Sequence, residues 1–142
     1  MAVASTAPGA PEVLDSPASV ADLRTRFRQG KQALLQNFRQ GRPTTAAATR
    51  LLRELCRHVD QTLAGLWTHA YLPQGAALLA VGGYGRGELY PYSDVDVLVL
   101  LPNDPGGDAR DNAAWKSSIE GFITACWDIG LEIGSSVRSV QE

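Results

Sequence analysis

Two aspartates, Asp94 and Asp96, open the apolar run Val95–Leu101, eleven residues after the pair Gly82-Gly83. In a β-strand, side chains at i and i+2 share a face. The two carboxylates are therefore expected to project together, about 7 Å apart along the strand. Val95, Val97 and Val99 would then point into a core. Paired hard carboxylates suit Mg²⁺, and a neighbouring glycine turn lets phosphate oxygens approach backbone amides. Asp94 and Asp96 are thus the candidate metal-binding and catalytic residues.

The glycines meet neither of two familiar phosphate-binding patterns. A dinucleotide fingerprint needs glycines at i, i+2 and i+5. From Gly83 the chain offers Gly85, but Glu88 where the last glycine belongs. A P-loop needs Lys and Ser or Thr after its last glycine, and Gly87 is followed by Glu88 and Leu89.

The elements that must hold these residues read as follows. Residues 1–18, rich in Ala, Pro, Ser and Gly, are expected to be a disordered tail. Ser19 and Asp22 signal a helix start. Val20, Leu23, Phe27, Leu34 and Phe38 keep helical spacing to Gln40, and Gly41-Arg42-Pro43 ends the helix. A second helix is predicted from about Thr44 to Ala70, with Leu52, Leu55, Val59, Leu63, Leu66 and Ala70 as its apolar stripe. These helices make a segment over 19–72, and residues 73–142 make the catalytic unit. Ala77 to Val81 reads as a buried strand, and Val95 to Leu101 as the next. Pro102 to Asp111 reads as a polar loop. Asp111 or Asn112 is expected to cap a third helix whose inner face is Trp115, Ile119, Phe122, Ile123 and Cys126. Gly130 fits its C′ position. A third strand is predicted over Leu131 to Val140, with Gly134 marking a bulge.

The step from Val81 to Asp94 is too short for an ordinary helical crossover. A small mixed α/β sheet with flanking helices is therefore expected, not a doubly wound sheet. The formal net charge of −2 speaks against a general nucleic-acid binder. No apolar run is long enough for a membrane span, and the first residues lack a secretory signal. The expectation is a cytoplasmic protein with no membrane or nucleic-acid partner. Cys56 and Cys126 read as buried hydrophobes. Tyr84, Tyr90 and Tyr92 read as packing residues, and His58 and His69 as surface or interface residues. The cations between Arg24 and Arg42 read as a solvated helix face.

Gly-Gly, an eleven-residue step and Asp-x-Asp on a strand resemble the nucleotidyltransferase superfamily of the DNA-polymerase-β type. The wording from Gly82 to Leu98, with Trp127 to Ser139, resembles in particular the bacterial PII uridylyltransferase/uridylyl-removing family, over about residues 20–142. The resemblance implies transfer of UMP from UTP to a tyrosine of a PII protein, with release of pyrophosphate. It implies Mg²⁺ held by Asp94 and Asp96, and phosphates cradled by Gly82, Gly83 and Ser93. Arg86, set between two glycines, is open between a phosphate contact and a surface charge. Ser93 is equally open between a phosphate contact and a turn residue. The resemblance places a third metal carboxylate shortly beyond Val140, and neither Asp128 nor Glu132 is a convincing substitute. The chain is accordingly expected to be the N-terminal fragment of a longer protein, incomplete at the C-terminus of its sheet and inactive alone. Two alternatives stay open: another transferase of this fold, such as an adenylyltransferase, and a non-catalytic nucleotide-binding regulatory module.

Overall fold

The computed structural model of the chain describes residues 17–72, 74–102 and 109–140. Two long helices come first, α1 over Pro17–Gln40 and α2 over Thr45–His69. Helix α1 begins two residues earlier than the Ser19 signal implies, so Pro17 and Ala18 lie in it and not in a tail. Proline is well suited to the first helical turn, where its missing N–H has no partner to lose. The rest of the expected tail, 1–16, lies outside the described residues. Thr44 caps α2 by accepting the Ala47 N–H at 3.0 Å. The buried stripe of α2 runs through Leu51, Leu55, Val59, Thr62, Leu63 and Leu66. Leu51 thus replaces Leu52 at its start.

The helices are pinned together by His58. Its ring stacks on Phe27 with centroids 5.4 Å apart, and its Nε2–H donates to the Phe27 carbonyl at 2.9 Å. Gly30 makes room for that ring, because a Cβ there would lie 2.3 Å from His58 Cε1.

Among the described residues the sheet has three strands in the order β1-β2-β3: β1 over Ala77–Ala80, β2 over Val95–Leu101 and β3 over Ile133–Ser139. β1 runs antiparallel to β2, and β2 parallel to β3. A one-turn helix α3, Gly82–Gly85, follows β1, and the long helix α4, Ala109–Asp128, joins β2 to β3. A mixed sheet results, because the short 81–94 link can only return the chain antiparallel whereas α4 is long enough for a parallel crossover.

Strand β2 is central and alternates as expected, with Val95, Val97 and Val99 buried. Val95 and Val97 meet Leu63 and Leu66 of α2 and Phe122, Cys126 and Ile129 of the α4 end in one core. Trp67 meets Phe122 edge-on, with centroids 5.4 Å apart. Arg24 fastens α1 to the end of α4 by donating to the Asp128 carbonyl at 2.7 Å. No described helix is long and apolar enough to cross a membrane.

Several expectations are corrected. β1 is an edge strand, with Ala77, Leu79 and Ala80 exposed. Its apolar run is continuous, but of the strand's residues Leu78 alone packs against the core, and it is only partly buried. Gly134 is not a bulge, because β2 and β3 pair without interruption from Val95↔Ile133 to Leu101↔Ser139. Asp111 and Asn112 lie inside the first turn of α4, past the position that precedes its start. The polar loop of 103–108 lies outside the described residues. Tyr90 and Tyr92 are 58% and 84% exposed, so of the three tyrosines only Tyr84 packs in the core. Lys31 lies over the Tyr92 ring, 6.0 Å from its centroid. Cys126 is fully buried, whereas Cys56 is only half-buried. Gly130 does take the left-handed conformation, φ +97°, that the end of α4 requires.

Candidate active site

The glycine turn grows directly out of β1. Val81 N–H donates to the Asp96 carbonyl at 3.0 Å, which adds one bond to the β1–β2 ladder. The chain then swings away at Gly82, whose φ of +60° disfavours any side chain. Gly85 N–H donates to Val81 O at 2.9 Å and Glu88 N–H to Gly83 O at 2.9 Å, so the turn closes on itself. Gly85 is the tightest point. A Cβ there would stand 2.7 Å from the Ala80 carbonyl oxygen, a backbone atom.

The turn is held from beneath by Tyr84. Its ring is buried, and its hydroxyl donates to the Asp60 carboxylate on α2. Burial first, and then the Asp60 hydrogen bond and charge, push the Tyr84 hydroxyl pKa well above its usual range.

Asp96 occupies the second position of β2, half-buried, on the face opposite the core valines. Its register partner across the parallel ladder is Gly134. A Cβ on Gly134 would lie 2.6 Å from Asp96 Oδ1, and a Cβ on Gly82 would lie 2.8 Å from Asp96 Oδ2. The carboxylate therefore rests between two positions that both lack a side chain. Asp94 stands exposed just ahead of β2. Among the described residues, neither carboxylate has a hydrogen-bond or ion-pair partner.

These features fit a divalent cation. The donors are hard oxygens, they are not neutralised by a protein cation, and the slot around Asp96 is one that any added Cβ would fill. No three His, Cys, Asp or Glu side chains gather among the described residues. Asp128 and Glu132 are both exposed, and Glu132 uses its backbone carbonyl to accept the Val95 N–H at 2.8 Å.

The other predicted residues are placed less simply. Gly83 lies inside the turn, and a Cβ on it would sit 3.7 Å from an Arg86 guanidinium nitrogen. Arg86 thus reaches back over the turn, while its Nε pairs with Glu88 Oε2 at 3.2 Å on an exposed surface. Ser93 Oγ accepts the Tyr90 N–H at 3.2 Å, and Ser93 N–H donates to Tyr90 O at 3.0 Å. It therefore closes the turn that leads into Asp94. A cleft of about 140 Å³, lined by Lys31, His58, Tyr92 and Ser93 among others, includes neither aspartate. The carboxylates lie on the open side of the sheet.

The comparisons with known proteins decide the family. Residues 67–132, the stretch from the end of α2 through the glycine turn and the aspartates to the start of β3, match the nucleotidyltransferase domain family. This part of the chain is a nucleotidyltransferase domain. The chain is 48% identical over 122 residues, 86% of its length, to a bifunctional uridylyltransferase/uridylyl-removing enzyme of Cupriavidus pinatubonensis. It is 46% identical over 125 residues, 87% of its length, to the protein of that name in Stutzerimonas stutzeri. It is 49% identical over 119 residues, 84% of its length, to that of Burkholderia orbicola. The chain spans 13% of the length of these curated relatives. No solved structure matches it.

Two features around this site escape a reading of the sequence. One is Asp60, an ordinary acid on a helix until the fold brings it to Tyr84. The other is Gly134, whose place in a strand carries a signal open to two meanings. An isolated strand glycine marks either a bulge or a close approach, and here it is the close approach of Asp96.

Proposed function

We propose that this chain is the nucleotidyl-transferring part of a cytoplasmic enzyme that moves UMP from UTP to a tyrosine hydroxyl of a PII-type signalling protein. The observation that carries the reading is the unpartnered Asp96 carboxylate, set between Gly82 and Gly134 and beside the glycine turn. The similarity to uridylyltransferases supports the choice of UTP as donor and, through the family resemblance, of a PII tyrosine as acceptor.

Asp94 and Asp96 would hold Mg²⁺, which when bound neutralises the triphosphate and lowers the pKa of an attacking hydroxyl. The chain's own residues supply the positioning. Gly82 and Gly83 let the phosphates come close to backbone that no Cβ shields. Arg86, exposed and reaching over Gly83, is placed to exchange its Glu88 partner for a phosphate oxygen. Ser93 fixes the approach of Asp94 through its turn with Tyr90.

The test is release of pyrophosphate from UTP in the presence of Mg²⁺ and a PII protein. Asp96→Asn in the intact protein is expected to lower kcat by several orders of magnitude, with the circular dichroism spectrum unchanged. An interaction that acts in the transition state is lost, while the fold keeps an isosteric side chain. Near-normal turnover by Asp96→Asn would overturn the assignment.

A further inference from the structure

We propose that Gly134 is a positioning residue: its missing side chain aims the Asp96 carboxylate at the glycine turn. The inference rests on the reading of Asp96 as a metal ligand. Gly134 lies on a different strand and lies outside the family match, which stops at residue 132.

The backbone does not need a glycine at 134. Among the described residues, the glycines with positive φ are Gly75, Gly82, Gly87 and Gly130. Gly134 is not one of them, and it pairs in unbroken register within β3. Glycine in a strand interior is also unfavourable, since it loses more conformational freedom on folding and packs nothing. Alanine would be accepted by this backbone, and some other requirement must hold glycine there.

Asp96 supplies that requirement. The nearest atom to a Cβ on Gly134 is Asp96 Oδ1, at 2.6 Å, and the next is Asp96 Cγ at 3.7 Å. Apart from its two chain neighbours, no other described residue comes within 4 Å of that Cβ. A methyl group at 134 would therefore collide with one thing alone, the far end of a rotatable, half-buried side chain. The fold escapes the collision cheaply by turning Asp96 about its side-chain torsions. The carboxylate cannot escape it without leaving the place between Gly82 and Gly134. Gly85 makes the contrast, since its Cβ would meet the Ala80 backbone, which cannot swing aside.

Gly134→Ala should therefore separate metal binding from stability. The probe is Mn²⁺ with a non-hydrolysable UTP analogue on the intact protein, read by water-proton relaxation enhancement, beside the thermal midpoint. Gly134→Ala is expected to weaken Mn²⁺ roughly 10–100-fold, the usual effect of disturbing what orients a metal ligand, with a near wild-type midpoint. Gly121→Ala, where nothing lies within 4 Å of the new Cβ, is expected to leave Mn²⁺ affinity unchanged. In an Asp96→Asn background, Gly134→Ala should add no further loss, because its effect runs through that carboxylate. Wild-type Mn²⁺ affinity in Gly134→Ala, or an equal further loss on top of Asp96→Asn, would overturn the proposal. Wild-type affinity in Asp96→Asn alone would instead remove the metal reading of the site, and this inference with it. If Gly134→Ala fails to fold, Asp96→Ala with Gly134→Ala decides. Recovery of folding supports the steric slot, and failure shows that the strand itself requires glycine.

Discussion

The hydroxyl of Tyr84, in the middle of the glycine turn, donates to the carboxylate of Asp60 on α2. The turn that begins the candidate site is thus tied to the helical pair by one charge-assisted hydrogen bond above a buried ring. Leu63 and Val97 pack in the same core cluster as that ring. The ring fixes where the turn sits, and the hydroxyl fixes how it is rotated.

Tyr84→Phe keeps the ring and removes the bond. Asp60 is exposed, so its carboxylate returns to water without a large penalty. A stability loss of about 1.5–3 kcal/mol is expected, the range for hydrogen bonds to charged groups. Urea denaturation measures it. An unchanged midpoint would show that the hydroxyl holds nothing in place.

Gly85→Ala should also be damaging, for a steric reason. Its Cβ would stand 2.7 Å from the Ala80 oxygen and 3.0 Å from the Ala80 carbonyl carbon, so β1 and the turn must move apart. Overpacking of this kind typically costs about 1–3 kcal/mol. Gly121→Ala, on the exposed side of α4 with open space around it, should instead gain a few tenths to about 1 kcal/mol, from helix propensity and a less flexible unfolded chain. Thermal melts of the two variants side by side check both signs.

Gly30→Ala should loosen α1 from α2. The new methyl would overlap the His58 ring at Cε1 and Nε2, forcing the ring off Phe27 and breaking its bond to the Phe27 carbonyl. A loss of about 1–3 kcal/mol is expected. If the clash is the cause, the penalty of Gly30→Ala should largely vanish in a His58→Ala background. A penalty of the same size there would locate the cause elsewhere in α1.

Stability should fall on the alkaline side. Burial raises the Cys126 thiol from 9.0 to about 12, so the native state keeps a proton that the unfolded chain releases. The native state then binds more protons than the unfolded one, and stability decreases as pH rises. The contribution of Cys126 is complete below pH 9 and is lost progressively toward about 12. Tyr84, raised above its ordinary value of 10.0, adds to the fall above that pH. Denaturant midpoints between pH 8 and 11 measure this, on a scale set by the two ordinary values. A Cys126→Ala variant should show a shallower decline from pH 9 upward; a parallel curve would mean that the thiol plays no part.

What the sequence alone determined is local in origin. The alternation Val95-Asp96-Val97 decides which residues of β2 enter the core, because strand geometry has a period of two. The spacing of Leu55, Val59, Leu63 and Leu66 decides the buried face of α2, because helix geometry has a period near 3.6. The shortness of the 81–94 link excludes a parallel crossover, so a mixed sheet was legible before any coordinate. The glycine pair and the two aspartates likewise announced themselves by type and interval.

Tertiary structure alone decided the rest, because each remaining feature joins residues distant in the chain. An apolar run such as Ala77–Val81 does not say which strands flank it, and β1 is an edge because only β2 pairs with it. Tyr90 and Tyr92 look no different from Tyr84 in sequence, and only the position of α2 makes one buried and the others exposed. The neighbours His58 and Gly30, Asp60 and Tyr84, and Asp96 and Gly134 are set by helix packing and strand register. No propensity encodes those relations, and it is the last of them that shapes the space around the Asp96 carboxylate.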